Sequence, residues 1–384
     1  MKTYYLGELI TQRREKNPGG DLPILGVSKD GWIPPKQKDA DTSIYNVFYR
    51  NDFVFNPARM ELNSIAFNNL FDKAICSSLY EVFYVNRTDL IIPEYLNLII
   101  KQNWFTRYCE FLGSGSAREY CRVANISEIP VEVPELSIQS RAVKYNDVIT
   151  RRIKLKKKIN DNLLASCMAE YVRFFACVPE YHDENSSWYN QPLGNALCRV
   201  AMGPFGSNIK TEYFVDVGVP VLNGYNISDF ILNEDSFRYV TQEKALELKN
   251  SVAKSGDIVI THRGTLGQVA LIPTASRYSE YVISQSQFML RCNEEIIIPE
   301  YLLFYFHTES GKRRLLANDN TTGVPSIAKP STYIKNIHVP IPPIELQQQW
   351  GYMAKGCIRA ICNNSKEIDA LSKLSTLQLS NLCC

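Results

Sequence analysis

The chain has 384 residues, 45% hydrophobic and 21% charged, so it is long enough for two or three globular domains and extensive disorder is excluded. Lys and Arg number 42 against 40 Asp and Glu, so a polyanion would have to be bound by a local cluster of cations. No uninterrupted apolar run is long enough for a signal peptide or a membrane span. We therefore expect a cytoplasmic protein.

The cysteines and histidines give no sign of a metal site or a disulfide framework. The eleven cysteines are odd in number, scattered and without a Cys-x-x-Cys pair, and the four histidines lie far apart. We expect reduced, mostly buried thiols and no bound metal.

In chain order, residues 1–137 are predicted to form a mixed α/β module. Short β-rich runs broken by Gly, Pro and Asn come first. A helix is expected at Ile91-Ile92-Pro93-Glu94-Tyr95-Leu96, because proline near the start of an amphipathic run favours the first helical turn. A strand between Pro130 and Pro134 completes the module.

A long helix is predicted next, over residues 138–178. No Gly or Pro interrupts the run from Ile138 to Phe175, and its apolar residues recur at steps of three, four and seven. A helix of about forty residues would be ~60 Å long at 1.5 Å per residue.

The second half of the chain repeats the first, with a second module over residues 179–343 and a second long helix over 344–384. The hexapeptide at 91–96 recurs unchanged at 297–302, and Asp52-Phe-Val-Phe55 returns as Asp257-Ile-Val-Ile260. A nearly constant shift over separate blocks indicates an internal duplication.

The two long helices are expected to bury their apolar stripes against each other as an antiparallel coiled coil. Asn364 falls on the stripe of the second helix, where it would either set the register or lie exposed in an imperfect seam.

Six cations stand within eight residues of the first long helix, and between residues 137 and 160 only Asp147 is acidic. They are Arg151, Arg152, Lys154, Lys156, Lys157 and Lys158. Contact with DNA phosphates, contact with a protein partner and a solvated helix face are all consistent with this run.

A glycine-punctuated turn follows the predicted strand at 257–260 and carries side chains that can bind base edges and phosphates. Its candidate DNA-binding residues are His262, Arg263, Thr265 and Gln268. Arg263 could contact a base, contact a phosphate or serve only the architecture of the turn. In the first module the corresponding candidates are Asn56, Arg59 and Ser64.

Catalytic motifs are missing. Asn56-Pro57-Ala58-Arg59 lacks the second proline and the aromatic residue of the amino-methyltransferase box, and no glycine-rich cofactor loop or nucleophile elbow is present. We expect neither catalysis by this chain nor a bound cofactor.

These motifs in this order resemble the specificity (S) subunit of Type I restriction-modification enzymes. The resemblance is carried by Gly256-Asp-Ile-Val-Ile-Thr-His-Arg-Gly-Thr-Leu-Gly-Gln268, Tyr281-Val-Ile-Ser-Gln-Ser-Gln-Phe288, Ile298-Pro-Glu-Tyr-Leu302 and Ile341-Pro-Pro-Ile-Glu-Leu-Gln347. The first half matches less closely, because it lacks the Arg-Gly-Thr-Leu-Gly turn and has Pro134-Glu135 in place of Pro342-Pro343.

The resemblance implies two target-recognition domains that bind the two halves of a bipartite, asymmetric DNA target, with the paired helices as a spacer. It implies a non-catalytic subunit that directs adenine methylation or cleavage by its partners. Those would be two modification subunits, which bind S-adenosylmethionine, and restriction subunits that bind ATP and magnesium. The alternatives are the recognition part of a fused methyltransferase–endonuclease and a coiled-coil adaptor that does not bind DNA.

Overall fold

A computed structural model describes residues 1–29, 31–35, 41–113, 120–175, 188–227, 230–320 and 325–381. It confirms a mixed α/β fold. The chain divides into two compact units, the first formed by Met1–Lys154 and Asp369–Cys384 and the second by Leu155–Ile368. In the described part of the chain, every helix is too short or too polar to cross a membrane.

Among its described residues, the first unit has ten strands and four short α-helices before the first long helix. The strands are β1 (Lys2–Tyr5), β2 (Ile10–Arg13), β3 (Ile24–Ser28), β4 (Gly31–Ile33), β5 (Asn46–Tyr49), β6 (Phe53–Phe55), β7 (Ile65–Phe67), β8 (Lys73–Cys76), β9 (Glu81–Val85) and β10 (Pro130–Val133). The helices are α1 (Leu6–Leu9), α2 (Pro93–Ile100), α3 (Asn103–Gly113) and α4 (Val123–Ile126).

Two four-stranded sheets and one strand pair organise this unit. The sheet orders are β2-β9-β6-β7 and β4-β3-β8-β5, and β1 pairs with β10. Strand β6 is buried on both faces, which explains its uninterrupted apolar sequence. Phe53 and Phe55 pack with the helices in one core, whereas Val54 belongs to a second core shared with strands of the other sheet.

The second unit follows this order of elements and adds further strands and a helix to it. Its strands are β11 (Tyr189–Pro192), β12 (Leu197–Met202), β13 (Phe214–Val215), β14 (Val219–Val221), β15 (Arg238–Val240), β16 (Val252–Lys254), β17 (Ile258–Thr261), β18 (Val269–Leu271), β19 (Glu280–Val282), β20 (Gln287–Cys292), β21 (Asp319–Asn320), β22 (Ser326–Ile327) and β23 (His338–Ile341). Its short helices are α6 (Gln242–Glu247), α7 (Pro299–His307), α8 (Glu309–Leu316) and α9 (Pro330–Asn336), numbered after the long helix α5 (Leu136–Phe175).

The sheets of the second unit have the topology of the first. The orders are β12-β20-β17-β18 and β13-β15-β14-β19-β16, the latter with β13 as an additional edge strand, and β11 pairs with β23. Ile258 and Ile260 of β17 face the core that contains α7, whereas Val259 faces the other core. The sequence repeat is therefore a repeat of one sheet-and-helix module.

The long helices α5 and α10 (Ile344–Asn381) contain 40 and 38 residues. Helix α5 begins two residues before the expected boundary at 138, and the expected boundary at 178 lies outside the described residues. Within the second unit the two helices run antiparallel. The rings of Tyr171 and Trp350 pack edge to face across them, with 5.2 Å between the ring centroids. Within the first unit, Ser375 Oγ donates to Asn146 Oδ1 at 3.3 Å.

The eight cysteines in the described part of the chain are unbridged, as expected from their spacing. Six are buried, Cys357 is half-buried and Cys198 is exposed. Burial raises the pKa of the Cys362 thiol to about 11, so this thiol is protonated at neutral pH.

Candidate nucleic-acid interface

The turn between β17 and β18 is closed by its own first and last residues. Thr261 N donates to the Gln268 carbonyl oxygen at 2.9 Å, and Gly267 N donates to the Thr261 carbonyl oxygen at 3.1 Å. Gly264 and Gly267 have φ of +89° and +73°, a backbone region that side chains with a Cβ rarely adopt. The backbone conformation of this turn therefore favours glycine at both positions.

The segment around β22 holds this turn in place. Gly264 N donates to the Pro325 carbonyl oxygen at 3.0 Å, and Ile327 N donates to the His262 carbonyl oxygen at 2.9 Å. Arg263 and Ser326 form an antiparallel β-bridge between these two contacts. The turn is thus a fixed platform, and it presents Arg263 and Thr265 exposed to solvent.

The other two predicted residues of the turn are partly engaged inside the protein. His262 Nε2 lies 3.2 Å from the Gln285 carbonyl oxygen, and burial lowers the pKa of this imidazole, which favours its neutral form. Thr261 Oγ1 donates to Gln268 Oε1 at 3.3 Å, so the Gln268 amide takes part in holding the turn.

A cleft of about 960 Å³ lies beside the turn in the second unit. Its polar and charged lining residues are Lys210, Thr211, Glu212, Asn223, Arg238, Ser284 and Gln285. Gln285 connects cleft and turn because its carbonyl oxygen contacts His262. Arg238 lies over the ring of Phe214, with its guanidinium carbon 5.2 Å from the ring centroid.

Sequence reasoning missed this cleft because its residues come from three separate connections between strands and from the strands themselves. One sequence signal was present in Gly203-Pro204-Phe205-Gly206. A Cβ at Gly203 would stand 1.8 Å from the Ser284 carbonyl oxygen, so this position requires glycine. The close approach fixes a loop on which Phe205 is 82% exposed at the edge of the cleft.

The corresponding loop of the first unit, between β6 and β7, is built differently. Asn56 caps a short 3₁₀ helix, Pro57–Leu62, by accepting from Ala58 N at 3.1 Å. Arg59 is exposed, whereas Ser64 is buried and its carbonyl oxygen accepts from Asn56 N at 3.1 Å. Of the three predicted residues, Arg59 is the one whose side chain is presented to solvent.

Each loop follows a buried aspartate that an arginine binds with two hydrogen bonds. Asp257 accepts from Arg291 Nε and Nη2 at 2.7 and 2.6 Å. Asp52 accepts from Arg13 Nε and Nη2 at 2.6 and 3.1 Å. Arg291 lies on β20, next to β17, but Arg13 lies on β2, one strand further from β6. The aspartate was preserved in the repeat, although its partner comes from a different strand.

The six cations of the run in α5 lie in two different environments. Arg151, Arg152, Lys154, Lys157 and Lys158 are exposed. Lys156 is instead half-buried, and its Nζ lies 2.9 Å from Glu367 Oε2 of α10. The acidic partner of Lys156 comes from the second helix, so it was not visible in the neighbouring sequence.

The chain matches the family model of the Type I restriction modification DNA specificity domain twice, at residues 6–165 and 219–367. A Type I restriction-modification S subunit from M. genitalium has a similar structure, with a TM-score of 0.59, 14% identity and coverage of 100% of this chain and 96% of that chain. At that identity the similarity shows a shared fold.

Two further solved structures cover nearly the whole chain with lower structural similarity. The HsdS subunit of Thermoanaerobacter tengcongensis has a TM-score of 0.40 and 17% identity, with 100% of this chain and 96% of that chain covered. A chain from a study of assembly and conformational transition of the type I R-M system has a TM-score of 0.48 and 18% identity, with 99% and 96% covered. Among curated protein sequences, none matches. The two family matches together cover most of the sequence, and the chain belongs to the Type I restriction-modification DNA specificity family, whose function is DNA sequence recognition.

Proposed function

We propose that this chain is the non-catalytic DNA-reading subunit of a Type I restriction-modification complex, and that each unit reads one half of a bipartite, asymmetric target. One observation carries the proposal. In both units the same pair of neighbouring strands, β6–β7 and β17–β18, presents an exposed arginine on a fixed loop, Arg59 and Arg263. Because the two loops differ in sequence and backbone, two different half-sites are expected.

In the second unit, the cleft beside the turn extends the proposed reading surface. Arg238, Asn223 and Gln285 supply donors and acceptors for base edges, and Lys210 a positive charge for a phosphate. The exposed ring of Phe205 stands at the edge of this surface, where an apolar side chain can wedge between base steps. A concave polar surface of this kind is suited to duplex DNA rather than to a small apolar ligand.

The proposed protein partners are two modification subunits, to which restriction subunits are added for cleavage. Four of the exposed apolar residues of helix α5, Tyr145, Val148, Leu155 and Ile159, are spaced by three, seven and four residues, which places them on one face. An apolar stripe left exposed on a helix supports a protein contact there. Several exposed cations flank this stripe and would contact either the partner or DNA phosphates.

We propose that this chain itself holds no cofactor. S-adenosylmethionine for adenine methylation would be bound by the modification subunits, and ATP and magnesium by the restriction subunits.

Gel-shift titration of the purified chain, alone and with its modification subunits, tests this function. We expect sequence-specific binding that the modification subunits strengthen, and methylation only when they are present. Methylation by the chain alone would favour a fused methyltransferase–endonuclease, and a complex without DNA affinity would favour the coiled-coil adaptor.

A further inference from the structure

We infer that Lys156, Asn160, Asn364 and Glu367 are positioning residues that fix the register of the two long helices. Asn364 Nδ2 donates to Asn160 Oδ1 at 2.7 Å, and Lys156 Nζ donates to Asn364 Oδ1 at 2.8 Å. The same ammonium group lies 2.9 Å from Glu367 Oε2. The oxygen and the nitrogen of the Asn364 amide are therefore both paired across the helices.

This polar cluster lies at the end of an apolar part of the seam. On one side of it in the second unit, α5 contributes Cys167, Tyr171 and Phe175 to the main core, and α10 contributes Trp350, Ala354 and Ile358. Tyr171 and Phe175 both contact Trp350. Apolar side chains of similar size pack in more than one register, so such a seam specifies its register weakly. Paired polar groups within it specify the register more strongly.

The polar and apolar contacts share one antiparallel register. Asn160 faces Asn364, and seven residues further along α5 the thiol of Cys167 hydrogen-bonds to that of Cys357, seven residues back along α10. A slip of one heptad in one direction would bring Asn160 opposite Cys357, and in the other direction would bring Asn364 opposite Cys167. Either slip leaves an amide in the seam without its partner, which disfavours the slipped register by about tenfold or more.

The consequence for DNA reading rests on the proposed function. In a subunit that reads a two-part target, the register of the helices determines the length of the unread gap between the half-sites. The four residues would then define gap length without touching DNA.

Oxidative cross-linking measures the register directly, because Cys167 and Cys357 lie across the seam. Diamide takes two electrons and two protons from a pair of adjacent thiols as their disulfide forms, and peptide mass mapping identifies the pair. The test variant combines N160L and N364L with K156M and E367L, and the matched control is K157M, which changes an exposed cation on the same helix.

We expect Cys167–Cys357 to dominate in the wild-type chain and in K157M. In the four-residue variant we expect its yield to fall about twofold or more, because slipped registers no longer leave an amide unpaired and bring neither Cys167 nor Cys357 opposite another cysteine. An unchanged yield of Cys167–Cys357 in that variant would overturn the inference. If the variant does not fold, N364A, which removes both amide contacts without adding volume, is subject to the same criterion.

A second measurement separates this inference from the proposed function. In complex with modification subunits, the four-residue variant should methylate targets with more than one gap length. A reduced yield of Cys167–Cys357 with a single, unchanged gap would support the register assignment and contradict the role of the helices as a spacer. Unchanged cross-links would contradict the register assignment whatever the methylation pattern.

Discussion

Gln139 and Gln347 stand at equivalent positions of the two long helices and make the same three hydrogen bonds. Gln139 Oε1 accepts from Ile92 N at 2.9 Å, and its Nε2 donates to the carbonyl oxygens of Leu90 and Pro134, both at 2.7 Å. Gln347 makes the corresponding bonds to Ile298 N, Ile296 O and Pro342 O at 3.0, 2.9 and 2.7 Å. Both side chains are fully buried. Each amide thus joins three segments of its module: the start of the long helix, the start of α2 or α7, and the preceding strand.

Replacing either glutamine by leucine should destabilise its own unit. Each substitution leaves one backbone N–H and two carbonyl oxygens without a partner, at a cost of about 3 kcal/mol in the free energy of unfolding. Urea unfolding of Q139L and Q347L measures this loss. The control is Q102L, because Gln102 lies between α2 and α3 and its Nε2 donates to the Leu98 carbonyl oxygen of α2 at 3.2 Å, without joining separate segments of the module. If Q139L or Q347L lost less free energy of unfolding than Q102L, the hydrogen bonds of that buried glutamine would contribute nothing to stability.

The repeated hexapeptide predicts how the folding stability depends on pH, with Glu300 of the second copy as the test position and Glu94 of the first copy as the control. Glu300 is buried on α7, burial raises the pKa of its carboxyl group, and Lys355 Nζ is 3.9 Å away. Its counterpart Glu94 is exposed. Because the folded chain keeps the Glu300 proton at a pH where the unfolded chain has lost it, stability falls as pH rises from about 4.5 through the raised pKa.

The variant E300Q should therefore be more stable than the wild-type chain at pH 7, with the advantage shrinking as the pH falls toward 4.5. E94Q should change the melting temperature little at either pH. Thermal unfolding of both variants between pH 4.5 and 7.5 makes the comparison. A lower melting temperature for E300Q at pH 7 would mean that the Lys355 ion pair outweighs the burial cost.

The sequence predicted the modules, the two long helices and the candidate turns, because each depends on local patterns that the duplication displays twice. It could not predict features that depend on distant residues. The same hexapeptide leaves Glu94 exposed and Glu300 buried, and the acidic partner of Lys156 lies on another helix. The cleft next to the turn was missed for the same reason, since Lys210, Arg238 and Gln285 are neighbours only after folding.

The two exposed arginines of the loops should affect different halves of the target. If Arg263 contacts a base edge, R263A should cost about 1–3 kcal/mol of binding free energy and relax the motif at one position of one half-site. R59A should do the same in the other half-site. Binding to a randomised DNA library followed by sequencing provides both readouts. An equal loss for every sequence would assign the arginine to a phosphate, and no change would leave it an architectural role.

The exposed cations of α5 and the half-buried Lys156 should differ in their effect on the salt dependence of DNA binding. Replacing Arg151, Arg152, Lys154, Lys157 and Lys158 together by glutamine should weaken binding to all DNA sequences and flatten the salt dependence, provided that they contact phosphates. K156Q should leave the salt slope unchanged, because its ammonium group pairs with Glu367 within the protein. Fluorescence anisotropy at several salt concentrations tests both variants. A normal slope with loss of the modification subunits in a pull-down would instead assign the five cations to the protein partner.

The modular account is tested most directly by exchanging residues 1–137 for the corresponding module of a homologous chain, and then mapping adenine methylation in the host genome. Strains with the wild-type gene, the exchanged gene and no gene are compared. We expect the wild-type strain to methylate one bipartite motif that is unmethylated without the gene, and the exchanged chain to alter one half of that motif while the other half remains. A simultaneous change of both halves, or methylation that is the same with and without the gene, would contradict the claim that each unit of this chain reads its own half of a DNA target.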